Sequence, residues 1–238
     1  MDYVSFIPSV TTYPWIFLFV YDYWVLLFIC KFVWKCKRSL QLSFYNKNLS
    51  SNHLDIGVGS GWYLKHCMLP SNIYRIALAD LHISPLKFAT NRLLSRFDNS
   101  TKMPKIELIQ KNILSEDTAS DQLNKFDSIS MFFLLHCIPG SMKEKANIVF
   151  PKLKELLTES GVIYGTTVLG NIIKKENNAP SLAYRLCTYL NNNGIMCNWN
   201  DDIDSLKQAA ISAGFHIDVT IIGYTAMFEL RRSDVENE

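Results

Sequence analysis

Residues 51–62 read Ser-Asn-His-Leu-Asp-Ile-Gly-Val-Gly-Ser-Gly-Trp, an acid followed by three glycines at alternate positions. Leu54 and Ile56 suit a short buried strand, and a helix starts near Trp62. Gly57, Gly59 and Gly61 form a turn with almost no side chains, which admits positive φ and lets a ligand approach the main chain. The spacing G-x-G-x-G departs from the dinucleotide fingerprint G-x-G-x-x-G. The indole of Trp62 stands where a third glycine would let the helix pack closely on the strand. Asp55 at the strand end would repel a pyrophosphate. It suits a ligand carrying an amino group or a positive charge.

Two further groups could do chemistry. Asp80 follows Ile76–Ala79, a second strand, 23 residues after Gly57. At the tip of the neighbouring strand, Asp80 and its neighbour Leu81 can meet a ribose, the carboxylate accepting from both hydroxyls. The alternative is a strand-end aspartate capping the next helix, which Ser84-Pro85 would start; the distance from the glycine turn favours the ribose. His136 closes the run Phe126 to His136, whose Met131 to Phe133 fall at a strand's carboxyl end, where open α/β sheets place ligands. It is the one histidine that combines proximity to that end with a titration range suited to a base. The competing role is satisfaction of backbone groups in the loop before Pro139-Gly140.

The elements that must hold these residues follow an alternating order. Trp62–Met68 reads as a helix ended by Pro70, and Leu86–Phe97 has the apolar spacing of an amphipathic helix. Ile106–Ile109 is a third strand, with Asn112-Ile113-Leu114 just beyond it. Glu144–Thr158 is a helix that Gly161 stops, and Val162–Val168 is a fifth strand. Residues 171–200 lack this periodicity and read as a substrate-side insertion with a short helix over Leu182–Leu190. Ile203–Ala213 is the last helix; Phe215–Gly223 and Tyr224–Leu230 form a terminal hairpin.

Composition narrows the function. At 238 residues, with 48% hydrophobic and 19% charged residues, the chain can bury a full α/β core. Lys plus Arg (24) nearly balances Asp plus Glu (22), so no global field draws it to nucleic acid. The six cysteines contain no C-x-x-C pair and no metal-ligand spacing with histidine, and read as buried thiols of a cytoplasmic protein. From Tyr13 to Trp34 the chain is apolar and aromatic, long enough to cross a membrane at roughly 20 residues. Asp22 near its middle opposes spanning, because an unpaired carboxylate is expensive there. A helix starting near Trp15 and packing as a lid over residues 1–45 is the favoured reading. Contact of the aromatic and basic residues with a membrane surface is the alternative.

Leu54 to Gly61, Asp80, Asn112 and the Asp127 to His136 stretch together resemble the class I S-adenosylmethionine-dependent methyltransferases. The resemblance covers about residues 40–231. His53 to Gly59 and Leu134 to Gly140 resemble further a subgroup of small bacterial and fungal enzymes, some of which O-methylate polyketide-type metabolites. That likeness takes in Tyr21-Asp22 and Trp34-Lys35-Cys36. It implies a Rossmann-like α/β fold: a seven-stranded, mostly parallel sheet with the last strand antiparallel, helices on both faces and an N-terminal helical lid on a domain over 46–238. It implies S-adenosylmethionine as cofactor, which carries both an ammonium and a sulfonium. Asp55, Gly57, Gly59, Gly61, Asp80, Leu81, Asn112, Ile113 and Met131 would hold it, Asn112 reading the adenine amino group unless it is a turn residue. Tyr21, Asp22 and Phe132 would face the acceptor, and His136 would be the base. The expected reaction is methyl transfer by in-line displacement to a small molecule, an oxygen nucleophile foremost. The competing readings are a non-catalytic binding module of the same fold and a membrane-peripheral enzyme acting on a lipid or quinone.

Overall fold

The computed structural model describes residues 22–97, 103–115, 125–176 and 181–233, and for 22–27 it describes the backbone alone. The elements run α1 (Asp22–Val33, with π-type spacing), α2 (Arg38–Asn48), β1 (Asn52–Ile56), α3 (Trp62–His66), β2 (Arg75–Asp80), α4 (Ile83–Leu94), β3 (Lys105–Gln110) and β4 (Phe126–Phe132). They continue with α5 (Met142–Leu156), β5 (Leu157–Val168), α6 (Gly170–Lys175), α7 (Leu182–Asn192), α8 (Ile203–Ser212), β6 (Phe215–Ile222) and β7 (Thr225–Arg232).

The strands form one seven-stranded sheet in the order β3-β2-β1-β4-β5-β7-β6. All neighbours are parallel except β7, which runs antiparallel to both β5 and β6. The chain winds outward from β1 to β3, then returns to place β4 on the other side of β1. The strand order therefore reverses between β1 and β4, and the carboxyl ends of those strands open a crevice there.

Both faces of the sheet are covered, and that is why every residue of β1 is buried. On one face Tyr45, Trp62, Tyr63, Leu86 and Leu93 of α2, α3 and α4 pack with Phe132 and Tyr164. On the other, Phe150, Leu153 and Leu206 of α5 and α8 pack with Leu54, Ile129 and Ile163. Alternation along β1 sends Leu54 and Ile56 to the second layer, leaving His53 and Asp55 on the first.

Three expectations need correction. Gly161 does not stop a helix: α5 ends at Leu156, and β5 begins at once with the buried Leu157. The register against β4 then slips between Leu157 and Val162, which places Gly161 in an irregular stretch of strand. The boundary expected at residue 45 falls inside α2, whose Tyr45 is fully buried against the sheet. The cysteines are not all buried: Cys30, Cys36, Cys67 and Cys187 are, whereas Cys137 and Cys197 are exposed, and all six are free thiols. Near the amino end, the helix expected to start at Trp15 lies outside the described residues. What is described begins with α1, whose Cys30 and Val33 are buried while Phe28 and Phe32 are exposed. Among the described residues no helix is long and apolar enough to cross a membrane.

Candidate active site

The glycine turn leaves β1 with Gly57, whose N–H donates to Ala79 O at 2.8 Å and so extends the β1–β2 ladder by one bond. Gly57 has φ +68°, and a β-carbon there would sit 2.9 Å from Leu134 Cδ1. Gly61 has φ +67°, and a β-carbon would come within 2.7 Å of Ala89 Cβ and 2.9 Å of its Cα. The turn is thus pressed between α4 and the segment after β4, and only glycine fits at both contacts. Gly59 is likewise left-handed, at φ +52°.

A cleft enclosing about 900 Å³, part of it open solvent, lies over the carboxyl ends of β1 and β2. Gly57, Asp80, Leu81, Asn112 and Ile113 line it, five of the expected cofactor residues brought together from three loops. Asp80 Oδ1 accepts from His82 N at 3.0 Å, and Oδ2 lies 3.4 Å from the donor Gly59 N. That carboxylate bridges the β2 turn and the glycine turn; burial pushes its pKa up, and the backbone N–H donors oppose the rise. Asn112 closes a turn of its own, its Oδ1 accepting from Leu114 N at 2.9 Å, so its carbonyl is already partly engaged.

Asp55 lies below the turn and does not line this cleft. It is 5% exposed. Ser130 Oγ donates to its Oδ1 at 2.7 Å, and Tyr45 OH donates to its Oδ2 at 3.4 Å. Desolvation chiefly, with a smaller push from the nearby Asp80, raises its pKa to about 7 against those two hydrogen bonds. Among the described residues no cation is among the groups that act on it, so within them this carboxylate has donors but no counter-ion.

The remaining expected residues divide. Met131 is fully buried in the layer beneath α5, because its place on β4 turns it away from the crevice; it is a core residue and not a wall of the cleft. Phe132 is 7% exposed and sits in an aromatic cluster with Phe44, Tyr45, Tyr63 and Tyr164, its ring centroid 4.4 Å from that of Tyr63. Tyr21 lies outside the described residues, and of Asp22 only the backbone is described.

His136 requires a correction. It is 3% exposed, lines no part of the cleft, and its Nδ1 accepts from Val168 N at 3.3 Å. Desolvation, with the Lys145 charge beside it, lowers its pKa to about 3. A ring that is neutral, occupied and sealed from the cleft is a structural histidine. Its carbonyl also holds Cys197 N at 2.8 Å.

Leu134, Ile138, Pro139 and Gly194 also line the cleft and were not anticipated. Leu134 had a usable signal, as it follows directly on the strand end expected to face a ligand. The conformation that delivers it had none: Phe133 adopts φ +56°, a left-handed backbone that bulky residues rarely take. Gly194 arrives from the far end of the 171–200 insertion, beyond the reach of any local pattern.

No family model matches the chain. It is 36% identical over 223 residues to the physcion biosynthesis cluster O-methyltransferase of Aspergillus chevalieri, covering 93% of both chains. It is 32% identical to demethylluteothin O-methyltransferase of Streptomyces thioluteus, covering 80% of this chain and 76% of that one. The N-methyltransferase vrtF of Penicillium aethiopicum matches at 30%, covering 85% and 79%. Among solved structures, an S-adenosylmethionine-dependent methyltransferase from Clostridium acetobutylicum superposes with a TM-score of 0.59 at 11% identity, covering 91% of this chain and 98% of its own. With the sheet order, the glycine turn and the cleft, these likenesses settle the family: the chain belongs with its O-methyltransferase relatives among the small-molecule methyltransferases, and its fold is that of the class I S-adenosylmethionine-dependent methyltransferases.

Proposed function

We infer that this methyltransferase uses S-adenosylmethionine itself and moves its methyl group to an oxygen of a small, phenol-like or carboxylic acceptor. The observation that carries the cofactor reading is the convergence of Gly57, Asp80 and the Asn112-Ile113 wall on one cleft. The chemistry of the donors fits: Asp80 offers a carboxylate to a vicinal diol, Leu81, Ile113, Leu134 and Ile138 offer apolar walls to a purine, and Asp55 meets no cation among the described residues. When bound, the cofactor supplies a methyl group on a sulfonium, already activated for displacement.

The chain's own work is therefore alignment and exclusion of water. Asp55 would anchor the cationic end from beneath the glycine turn, Asp80 the ribose, and the segment Phe133–Ile138 would floor the space between them. The burial of His136 speaks against it as the base, and a carboxylic acceptor, already ionised near neutral pH, needs none. The choice of oxygen rests on the O-methyltransferases among the relatives. The N-methyltransferase relative makes nitrogen the outcome to test against.

Calorimetric titration with S-adenosylmethionine should give a dissociation constant on the order of micromolar, and Asp80→Ala should weaken it at least about tenfold, the loss of two charge-assisted hydrogen bonds. Phenolic, carboxylic and amine acceptors can then be screened by mass spectrometry. A folded wild-type protein that does not bind the cofactor would sink this reading; turnover confined to amines would sink the choice of oxygen.

A further inference from the structure

Beneath the glycine turn, Asp55 is joined to a chain of groups drawn from four parts of the fold. His53 Nε2 lies 2.9 Å from Tyr45 OH, and His53 Nδ1 lies 2.8 Å from Ser128 Oγ. Ser128 Oγ is 2.9 Å from Ser50 Oγ, which reaches Asn52 O at 3.1 Å. Ser130 Oγ, bonded to Asp55, also comes within 3.2 Å of His53 Nε2. His53, Ser128 and Tyr45 are fully buried. Burial lowers the pKa of the imidazole to about 3, so the ring stays neutral and carries one proton.

A neutral imidazole between two hydroxyls can complete this chain in two directions. With Asp55 ionised, Ser128 donates to Nδ1, Nε2–H donates to Tyr45, and Tyr45 donates to the carboxylate. With Asp55 protonated, the carboxyl donates to Tyr45, Tyr45 to Nε2, Nδ1–H to Ser128, Ser128 to Ser50, and Ser50 to Asn52 O. Both states leave every member satisfied, and they differ by one proton and one tautomer of His53. Passing from the second to the first, each hydroxyl and the ring hand on one proton and take up one. The single proton lost from Asp55 leaves to solvent through the half-buried Ser50.

We propose that Tyr45 and His53 are positioning residues for cofactor binding: they turn a hydroxyl donor onto Asp55 when the carboxylate becomes the counter-ion of the cofactor's cationic methionine end. The proposal rests on the cofactor reading above. The groups facing Asp55 are Tyr45 from α2, His53 from β1, Cys67 after α3, Asp80 from β2, Ser130 from β4 and Tyr164 from β5. None is a cation. Within the described residues, then, nothing but the ligand supplies the charge that would select the ionised state. Tyr164 OH, buried in the same layer, faces Ser130 and Tyr45 and so borders the same group of hydroxyls.

The test is nitrogen-15 spectroscopy of the His53 ring at about pH 6, below the raised value of Asp55, with and without saturating S-adenosylmethionine. The expected result is conversion from the Nδ1–H to the Nε2–H tautomer on binding. Tyr45→Phe keeps the ring stacked on Tyr63 at 5.5 Å but removes the relay hydroxyl. It should abolish the conversion and weaken affinity about tenfold. His53→Gln, which retains a donor toward Tyr45, should restore affinity to within about threefold of wild type, whereas His53→Leu should match Tyr45→Phe. Full saturation with an unchanged tautomer, or wild-type affinity in Tyr45→Phe, overturns this inference alone. Absence of cofactor binding by the folded wild type overturns the site reading and the inference with it.

Discussion

His136 shows how far residue type can mislead when burial is unknown. The ring stands a few residues past a strand end where a base would be useful, yet its nitrogen is committed to Val168 N and its pKa is driven down to about 3. His136→Asn keeps an acceptor near the Nδ1 position and should leave turnover within about threefold of wild type across neutral pH. A collapse of kcat with unchanged cofactor affinity would restore it as a base. Its stability signature has a definite sign. Between roughly pH 6.5 and 3 the unfolded chain protonates His136 and the folded chain does not, so this group withdraws stability as pH falls through that window. Denaturant melts of wild type and His136→Asn should therefore diverge progressively as pH falls through that window, wild type losing more on acidification. Gly61 is a different case: its spacing shows a turn glycine, but its close packing on Ala89 shows only in the fold, and it does not line the cleft as a cofactor residue was expected to. Gly61→Ala forces a β-carbon into Ala89 at a left-handed φ and should cost roughly 2–4 kcal/mol of stability, read from denaturant midpoints.

Elements turn these residues into a site, and here the sequence is legible unevenly. Asp55, the glycines and Asp80 could be placed because each sits at a fixed offset from a strand end, and strand ends show in local hydrophobic pattern. The relay of Tyr45 and His53 could not, since its members come from α2, β1 and β4 and meet only once the sheet is assembled. The wall of the cleft formed by Asn112, Ile113 and Leu114 is held in a similarly non-local way. Lys152 on α5 donates to the carbonyls of Ile113, Leu114 and Ser115 at 3.3, 3.0 and 2.7 Å, clamping the loop after β3 against a helix nearly forty residues further on. Lys152→Met keeps the aliphatic stem and removes the clamp. The expected outcome is a KM for S-adenosylmethionine raised about tenfold with kcat within about twofold, and recovery in Lys152→Arg, which restores the donors. Equal KM values in Lys152→Met and wild type would show that the wall holds without it.

At the scale of the molecule, the sheet is a platform whose crevice is walled by what the chain adds after β5. That addition is anchored by one buried ion pair: Lys145 Nζ lies 2.6 Å from Asp201 Oδ2, both side chains essentially without solvent. The same ammonium donates to Cys197 O at 2.8 Å, and Cys197 N donates to His136 O. These bonds tie residues 197–201 to the segment that follows β4, and Gly194, just before them, reaches the cleft. The pattern of the sequence marks residues 171–200 as a stretch without the core periodicity but does not show its anchor, because Lys145 reads as one more polar position on an amphipathic helix and Asp201 as one of two acids before α8. Breaking a buried pair from one side strands the other charge, so Lys145→Met should cost about 3–5 kcal/mol. Replacing both, as Lys145→Met with Asp201→Leu, removes the stranded charge and should recover at least about half of that loss in denaturant melts. Recovery of stability without recovery of acceptor turnover would assign the pair to shaping the cleft wall as well as holding the fold. A double variant no more stable than Lys145→Met would mean that the hydrogen bonds from Lys145 to the Cys197 carbonyl, and not the ion pair, anchor the insertion.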